Sequence, residues 1–309
     1  MPWYIFALVG PIFWAISNHI DKYLVERFYK KKNVGENNVG SLVIFTGIAE
    51  FVTACIVFIF TPHSIPIAAL HAVTIIFGGM ILIGSFILYL GAIEREEASI
   101  VTPLWQMVPV FAYILSYFVL GETLSGKQIV AAILVISGAI LISLNFKKRN
   151  IKIKTAVIGR MMLASFLVAL HIVIFKTIAL EENYWASIFW DSIGSALFAL
   201  ILFLSIRSYR KQFLSILREN TRAVLTVNFI SEGVNAAAGL SYSYALLLAP
   251  IALVSVINGL QPFFAFLIGI LLTLFLPSLG KEKIGSRSIG QKLVAIALIF
   301  IGIYLLFII

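Results

Sequence analysis

Two glutamates, Glu50 and Glu232, sit deep inside long apolar runs. An ionisable side chain at membrane depth costs about 2.5–3.5 kcal/mol on insertion scales, so each demands a reason. Glu50 lies about eleven residues into its run, roughly 16 Å at about 1.5 Å per residue, and Glu232 about nine into its own. Both fall near the middle. Asp191 lies nearer one end of another run, and His19 and His171 near the ends of two more. A carboxyl group at such depth can exchange a proton for a solute during a transport cycle, or pair directly with an amine or quaternary cation.

Around these acids the polar residues fall on stripes. Asn228, Glu232, Asn235, Gly239 and Tyr242 follow one another at helical spacing, which places them on one narrow face. Shorter stripes recur as Trp14, Asn18 and Asp21; Thr46, Glu50 and Thr53; Thr102, Gln106, Pro109 and Tyr113; Ser187, Asp191 and Gly194; and Ser255, Asn258 and Pro262. Amides, hydroxyls and carboxylates suit a wet cavity better than lipid. The candidate substrate- or proton-binding set is Glu232, Glu50, Asn235, Asp191, Tyr242, Asn18, Gln106, Trp105, Asn258, Trp190, His19 and His171. A structural alternative stands beside several of them. Asn228, Thr46 and Ser187 read as interhelical hydrogen-bonding contacts, and His19 and His171 as structural or interfacial. Asp191 reads either as a site residue or as one that reaches the outer interface. Trp105 and Trp190 read either as stacking surfaces for a cation or as interfacial anchors. Glu122 and Glu282, at helix boundaries, read as structural.

The elements that must position these side chains follow from composition. The chain has 309 residues, 61% hydrophobic and 12% charged, about half the charge of a soluble domain. A hydrocarbon core of about 30 Å needs about 20 apolar residues as helix. Ten runs qualify: about 3–24, 39–60, 72–93, 99–120, 127–146, 156–178, 185–206, 223–247, 250–276 and 289–309. Prolines at 103, 109, 250 and 262 predict bends in the fourth and ninth. The net charge of +9 does not point to nucleic acid, because the basic residues sit in short clusters between the runs. Of 23 lysines and arginines, all but Lys127 and Lys176 fall on one side of the ten spans. That side is expected to be cytoplasmic and both termini outside. The first run has no basic lead-in or small-residue cleavage site and reads as a span. Cys55, the one cysteine, lies within a run and has no disulfide partner.

The two halves echo each other at an offset of about 153–154 residues. Met107-Val108-Pro109-Val110-Phe111 falls on Leu260-Gln261-Pro262-Phe263-Phe264, Tyr89 on Tyr242, Ala92 on Ala245 and Lys22 on Lys176. Gly121-Glu122 is echoed by Gly280-Lys281-Glu282. A capping-box pattern opens each final run, at Ser125…Gln128 and Ser288…Gln291. Five spans is an odd number, so the second copy inserts inverted, and the charge bias of equivalent loops reverses accordingly. The expected fold is an all-α integral membrane protein of ten transmembrane helices, two inverted five-helix repeats around a central cavity, with the repeats at 1–150 and 151–309.

With Pro109…Gly121-Glu122-Thr123-Leu124-Ser125…Gln128 in the first repeat, the chain resembles the EamA-type branch of the drug/metabolite transporter superfamily. The resemblance implies a transporter of small metabolites or toxic compounds. Many members are described with both termini cytoplasmic, whereas the charge count here turns them outward; the expectation follows the charges.

The reading is a secondary transporter, an exporter of a small polar or amphipathic metabolite by alternating access, proton-coupled through its buried carboxylates. An uncoupled facilitator or uniporter of the same fold is the first alternative, and an intramembrane enzyme the second. No GxxxxGK[ST] is present for nucleotide use, and neither HExxH nor GxSxG for an intramembrane enzyme; the four histidines are scattered. The expected partners are a cationic or amino-acid-like solute, protons and membrane lipid, with no nucleic acid, no cofactor and no metal, in a monomer or homodimer of a bacterial inner (plasma) membrane.

Overall fold

The computed structural model describes residues 2–24, 39–93, 95–96, 98–144, 155–219, 221–275 and 286–307. The basic clusters around 27–32, 147–154 and 281–283, and Glu282 with them, lie outside the described residues. Long apolar runs leave their main-chain groups no water to bond, and helix satisfies them within each segment. The described helices are α1 (Trp3–Leu24), α2 (Val39–Phe60), α3 (Ala69–Ile93), α4 (Ala98–Leu104), α5 (Val108–Leu120), α6 (Gly126–Ser143), α7 (Thr155–Glu181), α8 (Tyr184–Ser205), α9 (Arg207–Glu219), α10 (Thr221–Leu248), α11 (Ile251–Asn258), α12 (Gln261–Phe275) and α13 (Ser286–Phe307).

Eight stretches among the described residues are long and apolar enough to cross a bilayer. They coincide with the first seven expected spans and the ninth. The other two fall short for visible reasons. Helix α10 carries the Asn228–Tyr242 polar stripe, and the apolar part of α13, Gly290–Leu306, is shorter than the rest.

Three features depart from the sequence expectation. The fourth and ninth spans are each broken rather than bent. A 3₁₀ turn at Trp105–Met107 separates α4 from α5, and Gly259–Leu260 separates α11 from α12. The segment after the seventh span, expected as a loop, is the amphipathic helix α9. Gln291, expected in the second capping box, lies inside α13 and bonds a neighbouring helix. Gln291 Nε2 donates to the carbonyls of Leu141 and Leu144, both at 2.6 Å, and so closes the open end of α6. The first capping box forms as expected, with the Ser125 hydroxyl accepting from Gln128 N–H at 3.3 Å and the Gln128 side chain accepting from Ser125 N–H at 2.8 Å. Just before it, Gly121 caps α5 with φ +67, a left-handed conformation in which a Cβ would be strained.

Helices pack in pairs that map onto one another when the halves are exchanged. Helix α1 lies along α10 as α3 lies along α7; α2 pairs with α8, α5 with α11, and α6 with α13. The α6–α13 pair repeats one contact in both directions. A Cβ on Gly138 would lie 2.7 Å from Ala295 O and 2.7 Å from Ile299 Cγ1. One on Gly302 would lie 2.9 Å from Ala131 O and 2.7 Å from Val135 Cγ2. Ala131, Val135, Ala295 and Ile299 are all fully buried. Small residues here let two backbones meet without a side chain between them.

One pair breaks the balance. Helix α3 packs closely along α8, with Gly79 against the Asp191 carbonyl and Gly194 against the Ile76 carbonyl. Its counterpart, α2 against α10, meets through few contacts.

Short connections gather at one end of the bundle, called the hairpin end below. Asn183 Nδ2 donates to Ser64 O at 2.9 Å, and its side-chain oxygen caps α8 by accepting from Ala186 N–H. His71 Nδ1 lies 2.6 Å from Glu182 Oε1, which also accepts from Ala68 N–H, and His71 Nε2 lies 3.2 Å from Glu181. Helix α9 lies at the opposite, basic end.

Candidate functional site

The polar side chains singled out above separate into three groups and some outliers. The first group joins α7, α8 and α2. His171 Nε2 lies 3.0 and 3.2 Å from the two carboxylate oxygens of Asp191, with side-chain exposures of 13% and 14%. Asp191 therefore points into the bundle and does not reach the interface. Glu50 of α2 accepts from Ser192 Oγ at 2.7 Å and lies within electrostatic reach of Asp191 and His171. Gly78 of α3 closes this pocket, with its Cα side facing His171 and Asp191. Imidazole donating from Nε2 to Asp191 leaves Nδ1 as a bare acceptor, and that buried nitrogen has no hydrogen-bond partner. Two carboxylates, a hydroxyl and an imidazole thus lie together between three helices.

The second group joins α10 and α2. Thr46 Oγ1 donates to Glu232 Oε1 at 3.3 Å, and Asn235 Nδ2 reaches Glu232 Oε2 at 3.5 Å. Thr46 and Glu50 are four residues apart, so one face of α2 borders both acid groups. Thr46, expected as a structural contact, binds the very carboxylate the sequence put at the centre.

The third group lies where the two broken helices cross. Gln106 is buried and donates from Nε2 to Gly259 O at 3.2 Å. Gly259 lets the two come together, because a Cβ there would sit 2.6 Å from Gln106 Oε1 and push that side chain aside. Pro262 has no N–H to give the Asn258 carbonyl, which opens the helix at that turn. Gln106 Oε1 and Asn258 Oδ1 are both buried without a hydrogen-bond partner. Unfilled acceptors cost about 1–3 kcal/mol each. Both would be filled by a donor.

The remaining candidates stand apart from these groups. Tyr242 is buried, bonds Ser255 Oγ at 3.1 Å and packs edge-on against Trp14 at 5.5 Å. Trp105 packs against Tyr89, ring centroids 4.8 Å apart and planes tilted by 58°, beside the α4–α5 break. Trp190 donates to Ile65 O at 3.0 Å and fixes a connection at the hairpin end, and His19 Nε2 meets Ala265 O at 2.9 Å. Asn18 is exposed.

Some residues that hold this arrangement were not singled out from sequence. Ser192 holds Glu50, and Ser17 meets Ser231 at 2.7 Å between α1 and α10. Lys176, noted in the sequence only in the charge count and as the repeat counterpart of Lys22, is buried and paired with Glu122; it also donates to Ala249 O at 2.8 Å. Glu122 accepts in turn from Ile251 N–H at 2.8 Å, so one ion pair ties α7 to the starts of α6 and α11. The only signal for Lys176 was a lysine inside an apolar run.

With the geometry in hand, comparison with known proteins adds the following. Residues 1–144 match the model of the EamA-like transporter family. A stretch of 66 residues is 39% identical to an uncharacterised protein of Methanocaldococcus jannaschii, covering 21% of this chain and 47% of that protein. The match thus spans about half the length of that relative. A solved crystal structure of a protein superposes on 99% of this chain and 97% of its own, with a TM-score of 0.66 and 13% identity. At that identity the likeness concerns the fold alone.

Proposed function

We propose, from the premise that residues 1–144 belong to the EamA-like transporter family of the drug/metabolite transporter superfamily, a division of labour between two buried acids in a proton-coupled secondary transporter. The family match supports a membrane transporter of small solutes over an enzyme. The finer reading is this chain's own. Glu232, with Asn235 and Thr46, holds the solute; Glu50, with His171 and Asp191, holds the exchanged proton. The observation that carries the reading is the α2 face whose Thr46 and Glu50 border both groups, so that a shift of α2 changes both together.

The repeats at 1–150 and 151–309 belong to this proposal, related by an axis in the membrane plane. The reciprocal Gly138 and Gly302 contacts support it, since a twofold exchanging two antiparallel helices must lie across them. Helices α10 and α13 then complete ten spans, each packed lengthwise on a spanning partner. The tight α3–α8 pair and the sparse α2–α10 pair support a state closed at the hairpin end and accessible from the basic end, which the charge bias makes cytoplasmic. A solute taken up there and released outside is exported. The unfilled acceptors Gln106 Oε1 and Asn258 Oδ1, with the Glu232 carboxylate, favour a solute rich in N–H donors, such as an amine or amino-acid-like metabolite.

Thermal stabilisation of the purified protein by a panel of amines and amino acids tests the division. Glu232→Gln is expected to abolish stabilisation by the active compound. Glu50→Gln is expected to keep it but remove its dependence on pH. Equal loss in both variants would contradict separate sites. The second reading, an uncoupled facilitator, is favoured by the close His171–Asp191 contact, which can persist as a fixed ion pair. Solute stabilisation that ignores pH in the wild type would support it.

A further inference from the structure

Helix α9 stands outside the transport reading. The chain leaves α8 through Ile206, an extended corner at φ −103 and ψ 101, and enters a helix with two opposed faces. On one face Tyr209, Phe213 and Ile216 pack against Ile44 and Phe45 of α2, with the Phe45 and Phe213 rings 5.0 Å apart. Gln212 accepts from Gly40 N–H at 3.2 Å, and Gly40 must be glycine, because a Cβ would lie 2.6 Å from the Tyr209 backbone. On the opposite face Arg207, Lys211, Leu214 and Arg218 recur at intervals of four, three and four, all exposed. The helix also touches α8 and α10.

We propose that this outer stripe seats α9 on anionic phospholipid headgroups at the basic end of the bundle, and that α9 thereby anchors the N-terminal end of α2 to the membrane surface. Two observations select this occupant. The helix joins the basic-end termini of α8 and α10, so it runs at headgroup level rather than out in water. Its free face combines three cations with one exposed leucine, the composition that matches a negatively charged surface with apolar chains beneath it. A fully solvated face gives no reason for Leu214 at the centre of the stripe. Because Tyr209 and Gln212 hold Gly40, displacing α9 moves the end of α2 that lies beside α10.

The test needs no solute. Replace Cys55 with alanine, introduce Leu214→Cys, attach an environment-sensitive fluorophore and reconstitute into vesicles of phosphatidylcholine alone or with phosphatidylglycerol. The expected result is a blue-shifted emission and several-fold stronger quenching by lipid-borne quenchers in the anionic vesicles, weakened by salt. Lys211→Gln with Arg218→Gln removes that difference, whereas Lys211→Arg with Arg218→Lys keeps it and controls for folding. Emission and quenching that are the same in both vesicle types, or unaltered by the glutamine pair, would overturn the proposal and leave the stripe solvated.

Discussion

Glu50, Asp191 and His171 come from three helices yet lie in one polar group, so removing one changes the surroundings of the others. Replacing Asp191 with asparagine leaves His171 without its counter-charge and Glu50 without its neighbouring carboxylate. The expected outcome is a change in the pH profile of transport larger than that from Asn18→Ala, which lies outside the groups. Profiles of the two variants, measured side by side, check this. How legible was this unit? Each member was visible as an ionisable residue in an apolar run, because desolvation makes such residues rare. Their convergence was not, since nothing in spacing tells which of ten helices face one another. The cost of that gap shows at Trp190 and His19, which met the same criterion of a polar-tipped side chain in a run but bond backbone carbonyls away from the acids.

Helix-scale contacts rest on small residues and one buried ion pair. Gly302→Leu would drive a side chain into Ala131 O and Val135, where backbone cannot yield. The expected loss is about 1–3 kcal/mol, seen as a lower midpoint in thermal unfolding in detergent. Lys176→Met strands the Glu122 charge in a place where both partners are largely hidden from solvent. That should cost about 3–5 kcal/mol, and less when Glu122 is replaced as well, which a double-mutant cycle resolves. The α6–α13 contact could have been read from the sequence. Ala131, Val135 and Gly138 share their spacing with Ala295, Ile299 and Gly302. That echo needs a larger offset than the one found for the proline motifs, so the shorter slide passes over it. Helix α9 was hidden for another reason. Its positive charges read as loop, and its apolar stripe is too short to register as a span.

For the whole molecule, the ends of the bundle differ in chemistry. At the hairpin end, hydrogen bonds from His71 and from Ala68 N–H hold the half-buried Glu182 carboxyl below the ordinary carboxylate range. A group with a lowered value contributes stability fully above its unfolded value and loses it as pH falls through the lowered one. Thermal unfolding followed from about pH 6 down to about pH 3 should therefore show a midpoint that declines at the acid end, below about pH 4.3. The decline should be smaller in Glu182→Gln. Orientation is testable at the same scale. Cysteines placed at Lys30 and Lys148 are expected to react with impermeant reagent only from the cytoplasmic side.

The claim at the centre is that Glu50 carries a proton which Glu232 does not. Wild-type protein, Glu50→Gln and Glu232→Gln are to be reconstituted with a pH-sensitive dye inside the vesicles and given the solute identified by thermal stabilisation. Wild type is expected to move protons against solute, Glu50→Gln to move solute without moving protons, and Glu232→Gln to move neither. Proton movement that survives in Glu50→Gln at the wild-type ratio to solute would contradict the claim.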